Sequence, residues 1–196
     1  MDDSRSTDDR ILTAFLQLAY EQGLEGVSTR ELAKKAGVNP ATLFRRFSGG
    51  KHDIILEAVR RLSPAPALTQ ANPGINPDRA GEGLVASLLF LAELVKGIRF
   101  GWLEGLQNPE VRSELSTILV AAYEYLRRAL AQAGPALRPE VDHHAAVLGL
   151  LGMLIVSRRL GIALDEAEPV TEDRRPLFTA AVRPLLLTPG ELDTCN

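Results

Sequence analysis

Cysteine, aromatic residues and long apolar runs are all scarce in this sequence. The one cysteine, Cys195, stands one residue from the end, so the chain cannot form an internal disulfide. The longest uninterrupted apolar run, 145–156, has twelve residues, well short of the ~20 that a membrane-spanning helix needs. Residues 1–10 are rich in Asp and Arg, where a signal peptide would need an apolar stretch. These absences predict a cytoplasmic protein without a membrane segment.

Valine, isoleucine and aromatic residues are few beside leucine and alanine, and no stretch shows sustained alternation of apolar and polar residues. This pattern favours helices over sheet, so we expect an all-α fold. Four prolines and a glycine interrupt 63–77, which lacks helical periodicity and is expected to be a loop. The sequence therefore predicts two domains, a small head over 1–62 and a helical body over 63–196.

The charge is distributed unevenly between these two parts. The net charge is −3, which argues at first against a nucleic-acid partner. Between 27 and 61, however, eight basic residues face three acidic ones, whereas 63–196 carries 12 basic against 16 acidic residues. A basic segment on an acidic body is typical of a DNA-binding head. Ordinary solvated helix faces would give the same numbers, so charge alone does not decide between the two.

The head has the sequence pattern of a helix-turn-helix. Apolar spacing predicts four helices, of which the first stops at Gly23 and the others span 29–36, 40–47 and 51–62. The apolar positions of the middle two helices would pack against the first and fourth. That arrangement leaves one side of the third helix outward, with Pro40, Ala41, Thr42, Phe44, Arg45 and Arg46 on it.

Capping residues support this interpretation. Ser28, with Glu31 three residues later, can form a capping box at the start of the second helix. Gly37 follows that helix where a left-handed residue is needed. Asn39 can then cap the third helix, with Pro40 in its first position. Two caps in tandem around a glycine predict a helix-turn-helix, whose second helix can enter the major groove.

Residues 10–56 are similar throughout to the N-terminal domain of the tetracycline-repressor (TetR) family of transcriptional regulators. The similarity covers about a quarter of the chain. The shared positions are Ile11, Leu12, Ala14, Gly23, Ser28, Glu31, Leu32, Ala33, Ala36, Gly37, Val38, Thr42, Leu43, Phe44, Phe47 and Lys51. The body resembles the family only in size, helix count and the position of a very apolar penultimate helix.

The resemblance implies a set of DNA-binding residues. Base edges would be faced by Asn39, Pro40 and Ala41. Phosphates would be contacted by Thr42, Phe44, Arg46 and Lys51, while Ser28, Thr29 and Arg30 approach the backbone. Arg45 is expected either to contact a base or a phosphate, because an exposed arginine on a recognition helix is the commonest reader of guanine, or to be a solvated charge. Lys34 and Lys35 are expected to be solvated charges.

Two positions depart from the family pattern. The family usually has tyrosine where Phe44 stands, so a hydroxyl contact to phosphate is lost. Histidine is frequent where Arg46 stands, and arginine adds a permanent charge there. The loop over 48–50 is about one residue longer than is common in the family, which loosens the expected placement of Lys51.

The most apolar helix is expected over 139–162, and a last helix, interrupted by Pro184, over 173–187. The resemblance implies that both form a homodimer interface with their counterparts in a second copy, which presents two heads to a pseudo-palindromic operator. The expected interface residues are Leu148, Gly149, Leu151, Gly152, Ile155, Phe178 and Val182. A central helix buried in a monomer is the alternative.

The resemblance further implies a repressor that is released from DNA when its body binds a small inducer. Little charge lies on the inner faces of the body, which points to an apolar or aromatic ligand. The candidate pocket residues are Leu91, Phe100, Trp102, Leu103, Leu106, Tyr123 and Met153, each of which could instead be ordinary core.

The sequence leaves two other classes of function open, a helical metalloenzyme and a protein-binding module. Glu140 and His143 have the i, i+3 spacing of half a helical di-iron site, but the sequence has no second Glu-x-x-His. Phosphate loops, zinc-ligand spacing and nucleophile elbows are also missing, so no catalytic residue, metal or cofactor is expected. The other alternative is a helical module whose head binds protein, which predicts no salt-dependent affinity for DNA.

Overall fold

The computed structural model describes residues 2–94, 108–164 and 175–187, and their dominant structure is helical. The prediction of an all-α fold is confirmed. Within these ranges the helices are α1 (Asp2–Gly26), α2 (Thr29–Ala36), α3 (Pro40–Arg46), α4 (Lys51–Arg61), α5 (Ala65–Gln70), α6 (Ala80–Leu94), α7 (Pro109–Ala133), α8 (His143–Leu164) and α9 (Arg175–Val182). Short 3₁₀ turns cover Pro77–Arg79, Gly134–Ala136 and Arg183–Leu185.

The chain divides into two compact units. Unit 1 comprises Met1–Ser63 with Gly97–Thr117, of which 2–63 and 108–117 are described. Unit 2 comprises Pro64–Lys96 with Ile118–Asn196. Helix α7 therefore contributes its first two turns to one unit and the rest to the other. The predicted boundary after Leu62 remains a prediction, since unit 1 also takes in residues from beyond it.

Unit 1 is built around α1, which packs against α2 and α4, while α2 packs against α3. The expected stop at Gly23 is a kink: Gly23 has non-helical angles of φ 74° and ψ 166°, and helical residues continue to Gly26. The core that results holds the apolar positions foreseen from spacing. It includes Ile11, Phe15, Leu32, Leu43, Ile54 and Ile55, each at most 1% exposed.

Local hydrogen bonds set the ends of α2 and the start of α3. Ser28 Oγ accepts from the Glu31 backbone N–H at 3.2 Å. Gly37 is left-handed (φ 64°, ψ 38°). The N–H of Val38 reaches the carbonyl of Ala33 at 3.0 Å, as in a Schellman ending. Asn39 Oδ1 then accepts from the Ala41 N–H at 2.9 Å. The predicted caps at Ser28, Gly37 and Asn39 are therefore confirmed, and they determine the direction in which α3 leaves the turn. The reciprocal half of the capping box is not formed, because the Glu31 side chain accepts from Gln22 Nε2 at 3.1 Å.

A long-range contact closes the same turn. The Arg10 side chain, on α1, places Nη2 2.7 Å from the carbonyl oxygens of both Ala36 and Gly37. These are carbonyls that a helix end leaves without intrahelical partners, at the negative end of the helix dipole. A cation is therefore held where it satisfies both oxygens. A Cβ on Gly37 would lie 2.8 Å from that same Nη2, so the glycine also provides the space for the guanidinium.

The start of α4 depends on a second glycine turn. Gly50 has φ 66°, and the Gly49 N–H donates to Asp53 Oδ2 at 2.6 Å. A Cβ on Gly49 would clash with the Asp53 carboxylate in its present position. Gly50 thus supplies the positive φ of the turn into α4, and Gly49 leaves room for the carboxylate that receives its N–H.

The beginning of α7 is tied to α4 within unit 1. Asn108 Oδ1 accepts from the N–H groups of Glu110 and Val111 at 2.9 and 3.3 Å, so Asn108 is the N-cap of α7. Its Nδ2 lies 2.5 and 2.9 Å from the two ring nitrogens of His52. Arg60 Nε donates to Glu114 Oε1 at 2.8 Å, and this hydrogen bond raises the pKa of Arg60.

Unit 2 corrects two expectations of the sequence. The segment 63–77 is not all loop, because Ala65–Gln70 forms α5. Arg128 stabilises the end of this short helix, with Nη2 2.7 Å from the carbonyl of Leu68 and 3.1 Å from that of Ala71. Sequence periodicity missed α5 because six residues are too few to show a repeat.

The apolar helix starts at His143 and not at 139. Asp142 Oδ1 accepts from the N–H groups of His144 and Ala145 at 2.8 and 3.1 Å. The backbone donors of Ala145 and then His144 lower the pKa of Asp142. Asp142 is thus the N-cap, which leaves Glu140 outside the helix.

The last helix matches its expected interruption. Helix α9 ends at Val182, and Pro184 lies in the 3₁₀ turn that follows. Helix α9 packs against α6, and Leu186 forms an isolated antiparallel bridge with Leu137. Phe178 and Val182 are 0% exposed, so α9 contributes its buried face to the core of unit 2 in the same chain.

We predict that Gly37→Ala lowers the free energy of unfolding by about 1–3 kcal/mol, because a Cβ is strained at positive φ and displaces the Arg10 guanidinium. Chemical denaturation followed by circular dichroism measures the change. Gly134→Ala is the matched control, since Gly134 has open space around its Cβ position and is not among the positive-φ glycines. Equal unfolding free energies for both variants would contradict the role of the turn.

We predict that Phe178→Ala lowers the free energy of unfolding by about 3–5 kcal/mol, because it leaves a cavity in the core of unit 2. The neighbouring Leu177→Ala should cost less than about 1 kcal/mol, because Leu177 is 44% exposed. Thermal and denaturant unfolding of the two variants compares the faces of α9. A similar loss in both would mean that Phe178 is not a core residue.

Candidate nucleic-acid interface

The outward side of α3 is the most distinctive surface of unit 1. Leu43 is its buried anchor, at 0% exposure, and Phe47 follows at 6%. The expected outward residues are exposed, apart from Thr42, which is half-buried. Those exposed are Pro40, Ala41, Phe44, Arg45 and Arg46. Phe44 is 48% exposed, so its ring is accessible on the same side as the arginines.

The residues directly before α2 and α3, Ser28 and Asn39, cap these helices through their side-chain oxygens. Asn39 is exposed, and its Oδ1 is used by the Ala41 N–H. Its amide nitrogen has no hydrogen-bond acceptor among the described residues. Ser28 and Arg30 are exposed and Thr29 is half-buried at the start of α2. These side chains are placed where a ligand of the helix N-terminus would meet them.

Ion pairs separate the basic residues of the head into two groups. Three cations are engaged with acidic side chains at 2.8 Å: Lys35 with Glu21, Arg60 with Glu114, and Arg61 with Glu57. Arg61 also contacts Asp9. In contrast, Arg30, Lys34 and Arg45 have no acidic partner within 2–94, 108–164 or 175–187. Both Lys34 and Lys35 were expected to be solvated charges; Lys35 is paired with Glu21, whereas Lys34 has no acidic partner among the described residues.

Two predicted phosphate contacts have intramolecular partners. Lys51 Nζ donates to the carbonyl of Leu24 at the end of α1. Arg46 Nε lies 3.7 Å from Asp8 Oδ1. Sequence reasoning did not single out Asp8 or Arg10, although both contact the helix-turn-helix. Their partners are 38 and 26 or 27 positions away, and no local pattern indicates such pairings.

The candidate ligand residues are described only in part. Phe100, Trp102, Leu103 and Leu106 lie outside the described residues. Of the other three, Leu91 is buried, and Tyr123 and Met153 are half-buried. Tyr123 Oη is 2.6 Å from His144 Nδ1 at the start of α8. The pocket therefore remains a prediction.

The candidate interface residues fall into three groups. Leu148, Gly149 and Gly152 are exposed on α8, and Ile155 is half-buried. Leu151 is 7% exposed and belongs to the buried side of the same helix. Phe178 and Val182 are core residues of unit 2, so their side chains leave no surface for a partner.

The described residues give no support to a metal site or a membrane segment. Glu140 precedes the N-cap of α8, so it does not share a helix face with His143. Within the described parts of the chain, no three His, Cys, Asp or Glu side chains are grouped closely enough to hold a metal ion. Among the same residues no helix is both long and apolar enough to cross a bilayer.

Residues 11–58 match the family model of bacterial regulatory proteins, tetR family. A curated relative, an uncharacterised HTH-type transcriptional regulator of Bacillus subtilis, is 46% identical over 43 residues, which cover 22% of this chain and 23% of that protein. The chain matches only about a quarter of the length of these curated relatives.

Solved structures are similar over nearly the whole chain. NalD, the secondary repressor of the MexAB-OprM multidrug efflux pump in Pseudomonas aeruginosa, has a TM-score of 0.66 at 18% identity and covers 94% of this chain and 98% of its own. FadR from Bacillus subtilis, solved in complex with stearoyl-CoA, has a TM-score of 0.58 at 19% identity over 91% and 97%.

These structural similarities show a shared fold, in which a helix-turn-helix head precedes a helical C-terminal domain. The family model supplies the sequence signature of that head, over the same α1–α4 segment whose geometry is described above. The head of this chain, residues 11–58, therefore belongs to the tetR family of bacterial regulatory proteins.

Proposed function

We propose that the protein is a transcriptional repressor that binds double-stranded DNA as a homodimer and is released when unit 2 binds a small apolar ligand. The observation that carries this proposal is the outward face of α3. It combines small residues at its start with an exposed aromatic ring and cations at its end. A helix of this kind, fixed by a capped turn, is suited to the major groove.

The free cations support DNA as the partner. Arg30 and Lys34 lie four residues apart on α2, which places them on one helix face. On the neighbouring face of α2, Glu31 contacts Gln22 of α1 and Lys35 contacts Glu21 of α1. Arg45 adds an unpaired guanidinium on α3. Cations without internal partners can neutralise phosphates and release the counterions of DNA, so these three would let a chain of net charge −3 bind DNA.

The exposed side of α8 supports a homodimer. Ala145, Leu148, Gly149, Gly152 and Val156 form a continuous apolar row that is exposed in the single chain. A Cβ on Gly149 or Gly152 would meet nothing within 4 Å, so a second helix could approach closely there. An isologous pairing of this row would also give the two heads the two-fold symmetry that a pseudo-palindromic operator needs.

The proposed ligand class rests on the composition of unit 2. The faces that α6, α7 and α8 turn inward are apolar, and Leu91, Tyr123 and Met153 lie on those helices. A protein of the same fold, FadR from Bacillus subtilis, is bound to stearoyl-CoA, which has a long acyl chain. We infer that this chain also accepts a largely apolar molecule.

The first experiment is binding to double-stranded DNA over a range of salt concentrations. A repressor should select related fragments from a pool of random DNA, with an affinity that falls steeply as salt rises. Candidate apolar ligands should then release the selected fragment. A protein that ignores duplex DNA at low ionic strength would favour the alternative in which the head binds another protein.

We predict that Arg45→Ala weakens binding to the selected DNA at least ~10-fold and makes the salt dependence shallower, because a free guanidinium is lost from α3. Fluorescence anisotropy at several salt concentrations measures both quantities. Lys35→Ala is the matched control, since it removes one positive charge that Glu21 already neutralises. Equal losses in the two variants would mean that only net charge matters and would contradict the contact.

We predict that Leu148→Glu converts the dimer to a monomer, because it places two like charges in a self-complementary interface. Leu148 is 51% exposed, so the variant should fold. Val120→Glu is the control: it makes a comparable substitution at a position that is 63% exposed on α7. Light scattering after size exclusion gives the mass of each. A Leu148→Glu protein that remains dimeric would exclude this row as the interface.

A further inference from the structure

We propose that Asp8 is a built-in competitor of DNA phosphate for Arg46 and so weakens DNA binding by this chain. The inference rests on the proposed function, because it concerns the same α3 surface. It assigns a role to a residue of α1 that lies outside the helix-turn-helix.

The geometry places the carboxylate beside the guanidinium without a hydrogen bond between them. Arg46 Nε and Asp8 Oδ1 are 3.7 Å apart, which is beyond hydrogen-bond reach. The two charges therefore attract each other at close range while each keeps its hydrogen-bonding capacity. Asp8 is nevertheless well shielded, with 25% of its side chain exposed, and Arg46 has 30% exposed.

The Asp8 carboxylate oxygen is also unsatisfied. Asp8 Oδ1 is buried and has no hydrogen-bond partner among the described residues. A buried acceptor without a donor is costly, and Arg46 is the cation beside it. The free protein can lower that cost by drawing the Arg46 guanidinium closer. A phosphate that binds Arg46 must pull it away from the carboxylate, or must itself approach a negative charge.

Both ways of binding phosphate at Arg46 make DNA binding less favourable. Arg46 is the last residue of α3, next to Arg45, which has no acidic partner among the described residues. One arginine at the end of the helix is therefore free for phosphate, whereas the other is partly neutralised. Removing the carboxylate should turn Arg46 into a second free cation and add one released counterion to DNA binding.

The experiment measures DNA affinity for Asp8→Asn at several salt concentrations with the full-length protein. We expect binding at low salt to tighten by about 3- to 10-fold, and the slope of log K against log salt to steepen by about 0.9. Asp8→Ala should also tighten binding, and it shows that the gain does not come from the new amide group that Asp8→Asn introduces. Circular dichroism and thermal unfolding establish that each variant is folded.

Asp9→Asn is the matched control, because it makes the same charge change one residue later. Asp9 contacts Arg61 on α4 and not a residue of α3, so its affinity should change less than ~2-fold. A second test places Asp8→Asn in an Arg46→Ala background, where the gain should disappear if Arg46 carries the effect.

The outcomes separate this inference from the function on which it rests. If the unmodified protein does not bind duplex DNA, the proposed function fails. If it binds and Asp8→Asn leaves affinity unchanged or weakens it, Asp8 is no competitor and the inference is overturned. A gain of equal size in Asp9→Asn, or one that persists without Arg46, would also overturn it, because the effect would then be one of net charge.

Discussion

The turn between α2 and α3 depends on one guanidinium. Helix α2 is eight residues long, too short to be stable by itself, and its last carbonyls would lie unpaired at the negative end of its dipole. Arg10 donates to two of them at 2.7 Å each. The direction of α3 is therefore set by a side chain of α1 as well as by the residues of the turn. Gly37 is needed twice, for its left-handed backbone and for the space that the guanidinium fills.

Unit 2 uses the same interaction at other places. Arg128 binds the carbonyls that end α5, and Arg138 Nε donates to the carbonyl of Leu186 beside the isolated bridge. In each case a long cationic side chain reaches backbone oxygens that regular structure leaves unpaired. An arginine suits this role because its planar group carries several donors and keeps its charge when partly buried. Arginines that are distant in sequence thus stabilise the ends of segments that are too short to be stable alone.

Local features of this fold could be predicted from sequence, and distant ones could not. Ser28, Gly37 and Asn39 all act within a few residues of their own position, so residue type and spacing predict their roles. Arg10 and Arg128 act across 26 to 60 positions, where one sequence gives no pairing information. The same limit explains why the outward side of α3 was identified while the partners of Arg46 and Lys51 were missed.

The sequence also does not predict which faces of the helices in unit 2 are buried. Helix α8 is apolar on almost every side, so periodicity could not distinguish its buried residue Leu151 from its exposed residue Leu148. The last helix was assigned to a subunit interface, yet Phe178 and Val182 fill the core of their own chain. A helix with two apolar faces has no sequence signal that tells which face meets its own domain. Only the packing of neighbouring helices decides that.

Asn108 joins two helices through the two ends of one carboxamide. Its oxygen is committed to the backbone of α7, so its nitrogen must be the group that meets His52, and the imidazole nitrogen there must offer a lone pair. Aspartate would keep the cap but would need His52 to donate instead, through a ring N–H, and serine or threonine would cap without the second amide arm. Asparagine thus caps one helix and donates to a side chain of the other, so its loss would weaken the link between α4 and the first turn of α7.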